Sequence, residues 1–293
     1  MKTKLIIFII PIFIMACSGG ESSSDAYGNF EAKEVIVSAE SQGKIMEFKL
    51  EEGSAIKKGQ YIGYIDTIPL SIQKEQLMAQ QQTVNSKIAN IKAQVDVQEE
   101  QKSTLKREKE RIEELYNADA ATKQQLDNIK GKYHVVVKQI AATKTQISSI
   151  AGEMNVIDKQ IKLLNEKINK AKIINPIDGV VLEKYLEEHE IAVTSKALYK
   201  IARLDVIELR VYVSGAQLPG VKIGEKVKVL VDKDKETNQE YTGEVFWISD
   251  QAEFTPKIIQ TKEERVNMVY AVRIRVKNDG KLKIGMPGEV KFN

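Results

Sequence analysis

From Leu126 to Ile168, apolar residues return every three or four positions: Leu126, Ile129, Tyr133, Val136, Ile140, Thr143, Ile147, Ile150, Met154, Ile157, Ile161, Leu164 and Ile168. All but Thr143 are apolar, and spacing of this kind held over six heptads predicts a coiled-coil seam. An upstream run keeps the register more loosely through Leu77, Val84, Ile88, Ile91, Val95, Leu105 and Ile112. There Gln81, Gln98, Lys102 and Lys109 stand at seam positions. Pro69 suits the first turn of the outgoing helix. Asn175-Pro176 is the expected end of the returning one, because proline pushes the preceding residue out of the α region. The reversal falls at Asn117-Ala118-Asp119-Ala120. A helix over Ser71–Asn117 would reach about 70 Å at 1.5 Å per residue.

Two short β-rich segments flank this helical stretch, Glu34–Asp66 and Ala171–Ala202. Each has a glycine-marked turn into a hydrophobic strand, then a charged turn, then a last apolar strand, Tyr61–Ile65 or Leu198–Ile201. They read as two halves of one small β domain, 33–70 and 171–203, with 71–170 inserted as an antiparallel hairpin. From Leu204 the pattern becomes alternation. Leu209, Val211 and Val213 interleave with Glu208, Arg210 and Tyr212, and Val272, Ile274 and Val276 with arginines and lysine. Such alternation marks strands with one wet face. The fold class is therefore α+β and elongated: a long helical hairpin inserted in a split β domain, followed by a second β domain over 204–293. A spacer of this kind points to bridging rather than catalysis.

The N-terminus places the chain in the cell. Lys2 and Lys4 precede an apolar run, Leu5–Ala16, that ends just before Cys17. A positive n-region and a short apolar core make a secretory signal. The run is too short to span a bilayer, which takes about 20 residues. A small residue directly before the only cysteine resembles a bacterial lipobox, and the resemblance implies that Cys17 is the lipidated first residue of the mature protein. A plain signal peptide with an incidental cysteine is the other reading. A lone cysteine in an oxidising compartment has no intramolecular disulfide partner. Residues 17–32 follow as a flexible tether, opening with Ser18-Gly19-Gly20-Glu21-Ser22-Ser23-Ser24.

Charge removes some function classes. Lysine plus arginine number 44 against 41 acidic residues, so no strong net field selects nucleic acid. Charged residues make up 29% and aromatics 6%, which fits solvated helix with a narrow seam rather than a large core. Glu187-Glu188-His189-Glu190 reads as a charged turn rather than a metal site. No nucleophile, base and orienter set occurs, and no phosphate-binding glycine loop. Neither enzyme activity nor a cofactor is expected.

Split β module, hairpin and lipoprotein signal together resemble a periplasmic adaptor of the HlyD (membrane fusion protein) family, in the subgroup of lipoproteins that serve ABC exporters. The resemblance covers essentially all of the mature chain. Gly43-Lys44-Ile45, Glu51-Glu52-Gly53 and Lys57-Lys58-Gly59-Gln60 follow the first half of a biotinyl/lipoyl-like domain, and Pro176-Ile177-Asp178-Gly179-Val180-Val181 the start of its second. His189 and Ser195-Lys196 stand in turns where that pattern usually has glycine. Carriers of this fold need a modifiable lysine on a hairpin that is replaced here by Asp66-Thr67-Ile68-Pro69 and the coil. The resemblance makes 204–293 an adaptor β-barrel.

Family members that dock on outer-membrane ducts carry R-x3-L-x6-S-x3-L at the hairpin tip. Arg111, Leu115, Thr122 and Leu126 reproduce that spacing, with threonine for serine. Thr122 and Gln125 also form a T-x-x-Q capping box, and capping and docking can coexist. Ser249–Asn267 reads as a loop longer than a compact barrel needs, similar to a segment of ABC-type adaptors. Phe254, Lys262, Glu263, Glu264 and Arg265 are its candidate transporter contacts, a solvated barrel loop being the other reading. The resemblance implies an inner-membrane transporter, ABC-type ahead of RND-type, and an outer-membrane TolC-like channel as partners. It also implies a homo-oligomeric ring, held in the Gram-negative periplasm by its N-terminal lipid, at the inner membrane in preference. An acyl carrier and a structural coiled-coil lipoprotein are the readings from other classes.

Overall fold

The computed structural model describes residues 24–234, 237–254 and 268–292. They form two compact units: Glu34–Ala202, and the residues from Arg203 onward together with those before Glu34. The elements are β1 (Ala26–Glu31), β2 (Glu34–Ser38), β3 (Gly43–Phe48), β4 (Ala55–Ile56), β5 (Tyr61–Ile65), α1 (Ile68–Asn117), α2 (Lys123–Lys170), β6 (Lys172–Ile174), β7 (Gly179–Lys184), β8 (Ile191–Ala192), β9 (Ala197–Ala202), β10 (Val206–Ser214), β11 (Lys226–Asp232), β12 (Asn238–Phe254), β13 (Met268–Lys277) and β14 (Pro287–Lys291).

The helices of 50 and 48 residues lie antiparallel, each about 75 Å long at 1.5 Å per residue. The seam is lopsided. The returning helix buries Leu126, Ile129, Val136, Ile140, Thr143, Ile157 and Leu164, the outgoing one only Val84 and Val95. Three polar seam positions of α1, Gln81, Lys102 and Lys109, find partners instead. Gln81 Nε2 donates to Asp158 Oδ1 at 2.5 Å, and Glu99 accepts from Lys102 at 2.8 Å and from Lys144 across the seam at 3.0 Å. Lys109 Nζ lies 5.2 Å from the centre of the Tyr133 ring. Exposed ion pairs contribute little stability each, so these contacts set register more than strength.

The β unit sets both outer helix ends. α1 begins at Ile68, because the Asp66 carboxylate accepts from the Ile68 N–H at 2.9 Å. α2 stops at Lys170, where the hairpin read as 71–170 ends, and does not run on to Asn175-Pro176. Ala171 and Ile173 are buried in the β unit, and the Ala171 carbonyl accepts from Ile65 N at 2.9 Å. Recruitment into a sheet ends this helix before proline can.

The β unit has two sheets, ordered β2-β9-β7-β4 and β6-β5-β3-β8. Each mixes strands from both sequence halves, and exchanging first-half strands for their second-half counterparts turns one sheet into the other. Asn175, 1% exposed, ties the halves together. Its Nδ2 donates to the Lys57 carbonyl at 2.9 Å, and its Oδ1 accepts from the Tyr199 hydroxyl at 3.0 Å. Burial pushes that hydroxyl up to about 12, which keeps it a donor.

The turns show the same correspondence. Gly53 and Gly59 both have φ of 79°, and their second-half counterparts His189 and Ser195 have φ of 75° and 71°. The non-glycine residues thus adopt the glycine conformation, held by His189 N donating to Ile45 O and Ser195 N to Ala39 O. An L-residue in this region carries strain. Ser195→Gly should therefore raise stability by roughly 0.5–1 kcal/mol, the left-handed strain less the entropy cost of glycine. A urea midpoint that falls or stays fixed would contradict this.

The remaining strands close a barrel in the order β1-β10-β13-β12-β11-β14. Strand β1 corrects the sequence reading, in which 17–32 was a tether. Ala26 and Phe30 point into the barrel core at 1% and 0% exposure. Gly28 passes so close to β10 that an added Cβ would stand 1.7 Å from the Arg210 carbonyl oxygen. A second correction concerns Ser249–Phe254, read as the start of a long loop. These residues extend β12 along β13, past register shifts after Val245 and Ile248. Glu253 there holds the Arg210 guanidinium at 2.8 and 2.9 Å.

Candidate functional site

The hairpin tip brings together the last turn of α1 and the first of α2. Asp119 takes φ of 55°, and Ala120 N donates back to Leu115 O at 2.8 Å, closing the outgoing helix. Two residues later the capping box starts the returning helix. Gln125 N donates to Thr122 Oγ1 at 3.2 Å, and Thr122 N donates to Gln125 Oε1 at 2.8 Å. Both orphan amides are thereby satisfied.

The four motif residues divide by environment. Arg111 is exposed, with Nε and Nη2 on the Glu108 carboxylate at 3.1 and 2.5 Å. Hydrogen bonding to Arg111 holds the Glu108 carboxyl below its ordinary value. Leu115, one turn on along the same strip, is 38% exposed. Thr122 is exposed, although its oxygen serves the cap. Leu126 is 8% exposed and packs in the seam, so it supports the tip rather than presenting a contact. Tyr116, 37% exposed beside Leu115, lies outside the four-residue motif. The only signal for it is an aromatic on the solvent side of the last turn.

The tip offers a cationic fork, an aliphatic side chain and an aromatic ring on solvated helix. It has the means of recognition by contact. Thr122→Ala should lower the melting temperature, with a cost of about 1 kcal/mol for the lost cap, and Thr122→Ser should be neutral. Equal melting of all three proteins would show that the box contributes nothing.

Other sites read from sequence fall elsewhere. Cys17, Lys262, Glu263, Glu264 and Arg265 lie outside the described residues. Phe254 is the last residue of β12, and its backbone pairs with Met268 of β13. Among the described residues no group of three metal-binding side chains occurs, and no helix is long and apolar enough to cross a membrane.

Comparison with known proteins follows the same outline. Residues 33–202 match the family model described as RND MFP, barrel-sandwich hybrid domain, which covers the hairpin and both halves of its β unit. A UPF0194 membrane protein of Yersinia enterocolitica is 27% identical over 327 residues, spanning 99% of this chain and 98% of the relative. Another UPF0194 membrane protein, from Acidithiobacillus ferridurans, is 23% identical, over 91% of this chain and 86% of its own. Among solved structures, MacA from Actinobacillus actinomycetemcomitans superposes with a TM-score of 0.52 at 21% identity, covering 92% of this chain and 78% of that one. It shares the fold.

Proposed function

This chain belongs to the membrane fusion protein family of periplasmic adaptors, which are not enzymes, and we propose that it links an inner-membrane ABC-type exporter to an outer-membrane TolC-like duct. The observation that carries this reading is the tip. Arg111, Leu115 and Tyr116 are presented at the end of a hairpin about 75 Å long, the cation held only by Glu108 of its own helix and the two apolar groups open to solvent. Arginine presents rigid, always-charged donors suited to carbonyls and carboxylates at a facing helix end. In this reading Cys17 carries the lipid anchor at the inner membrane, several copies assemble into a ring, and the segment beyond Phe254 faces the transporter.

Arg111→Asp tests the duct contact. It reverses the charge on a solvated helix and removes only an exposed ion pair, so melting temperature should hold. Duct co-purification and export should fall together. Native stability, duct binding and export in that variant would make the motif match accidental. The RND wording of the matched family model favours a second reading, an RND-type pump as the inner-membrane partner. Affinity purification from crosslinked membranes separates the two by the transporter recovered.

A further inference from the structure

The hairpin has two unlike faces. Glu99–Lys144 and Glu113–Lys130 bridge the arms along one edge of the seam. Along the other edge stand Gln80, Gln94 and Gln101 of α1 with Gln139, Gln146 and Gln160 of α2, all exposed. Lys87 and Glu153, of opposite sign, hold the remaining heptad position on each arm of that stretch.

Away from the seam each helix carries a second line. On α1, Ala79, Thr83, Ser86, Asn90, Ala93 and Val97 recur every three or four residues, exposed and uncharged. On α2, Val135, Ala142, Ser149, Gly152, Val156 and Leu163 stand at the corresponding heptad positions, with Lys138 and Lys159 the charges among them. Val97 is 71% exposed and Leu163 57%. Gly152 weakens the helix, and nothing lies within 4 Å of a Cβ added there, so the packing of this chain does not call for it.

The placement of the second line fixes a curvature. At about 100° per residue it lies about 160° from the seam across the glutamine side and about 200° across the ion-paired side, on both helices. Helices in contact along both lines therefore form a wall whose narrower, concave side carries the glutamines. A second copy at the same height repeats the antiparallel pairing of the arms. It sets Val97 beside Ala142 and Glu100 beside Lys138 of the next copy, apolar against apolar and acid against base.

We propose, resting on the ring of the export complex above, that copies meet along these second lines and that the glutamine face is the inner wall of the conduit. Amide and hydroxyl groups there offer hydrogen bonds to a passing solute without the fixed charge that would hold ions of one sign. The ion-paired face stays in bulk solvent.

Lipidation occupies the single cysteine, so introduced thiols report alone on this chain. Gln94→Cys and Lys92→Cys, close together on α1, mark the two faces. Both should take a bulky polyethylene-glycol maleimide in the isolated protein. In the crosslinked complex with transporter and duct, labelling should be lost at 94 and kept at 92. Oxidising Val97→Cys/Ala142→Cys in membranes should link successive copies into a ladder. Lys92→Cys/Ala151→Cys, one heptad along from Glu99–Lys144, should instead close within one chain. Equal labelling at 92 and 94, protection of 92 instead, or no ladder from the 97/142 pair would overturn this placement and leave the export complex standing. Failure to recover a complex with transporter and duct would overturn the export reading, and the placement with it.

Discussion

Removing two matched heptads from the hairpin should abolish export while the protein stays folded and keeps its transporter. Residues 85–98 and 145–158 are a suitable pair of deletions. They leave the cross-arm pairs Glu99–Lys144 and Glu113–Lys130 in place at 3.0 and 3.3 Å. Whole heptads keep the seam in phase, and the excised stretch includes Gln98, whose buried Oε1 has no partner. The tip, with its capping box, is untouched. Reach falls by about 21 Å at 1.5 Å per residue, more than side-chain flexibility can restore. Circular dichroism should show cooperative helix melting, transporter co-purification should persist, and export should drop to background. Full export by the shortened protein would sink the bridging function, because only length was changed.

Phe30→Ala should destabilise the barrel by about 3–5 kcal/mol, the range for truncating a fully buried phenylalanine. Phe30 has no exposed surface, and its backbone is fixed by Phe30 N donating to Met286 O at 2.9 Å and Gly285 N donating to Phe30 O at 2.8 Å. Deleting Ala26–Glu31 should go further and prevent closure. β10 and β14 both pair with β1, so each would become an open edge, and the core around Leu209, Val211 and Val290 would meet water. The unit of Glu34–Ala202 has its own core and should still melt at its own temperature. Limited proteolysis followed by mass analysis separates the two units. A barrel segment as resistant as in the intact protein would show that β1 is an accessory strand.

The sequence by itself determined the features that rest on neighbouring residues. The seam, the reversal at Asn117–Ala120 and the Thr122–Gln125 box are local, since helix pairing and capping need only partners within a few turns or the facing arm. The candidate tip was legible for the same reason, and so was the likeness of the two β halves. Tertiary structure decided whatever depended on distant strands. Ala26–Glu31 contains Gly28 and Asn29, poor strand formers, and becomes a strand only because β10 and β14 present open edges to it. The boundary after residue 170 was legible, but its cause was not: the returning helix stops at Lys170 because Ala171 and Ile173 are drawn into the β unit, well before Pro176. Leu115 and Leu126 look alike in a motif, yet one faces solvent and the other fills the seam. A hydrophobic side chain reads the same in sequence whether it packs or projects, and only the position of the facing helix separates the two.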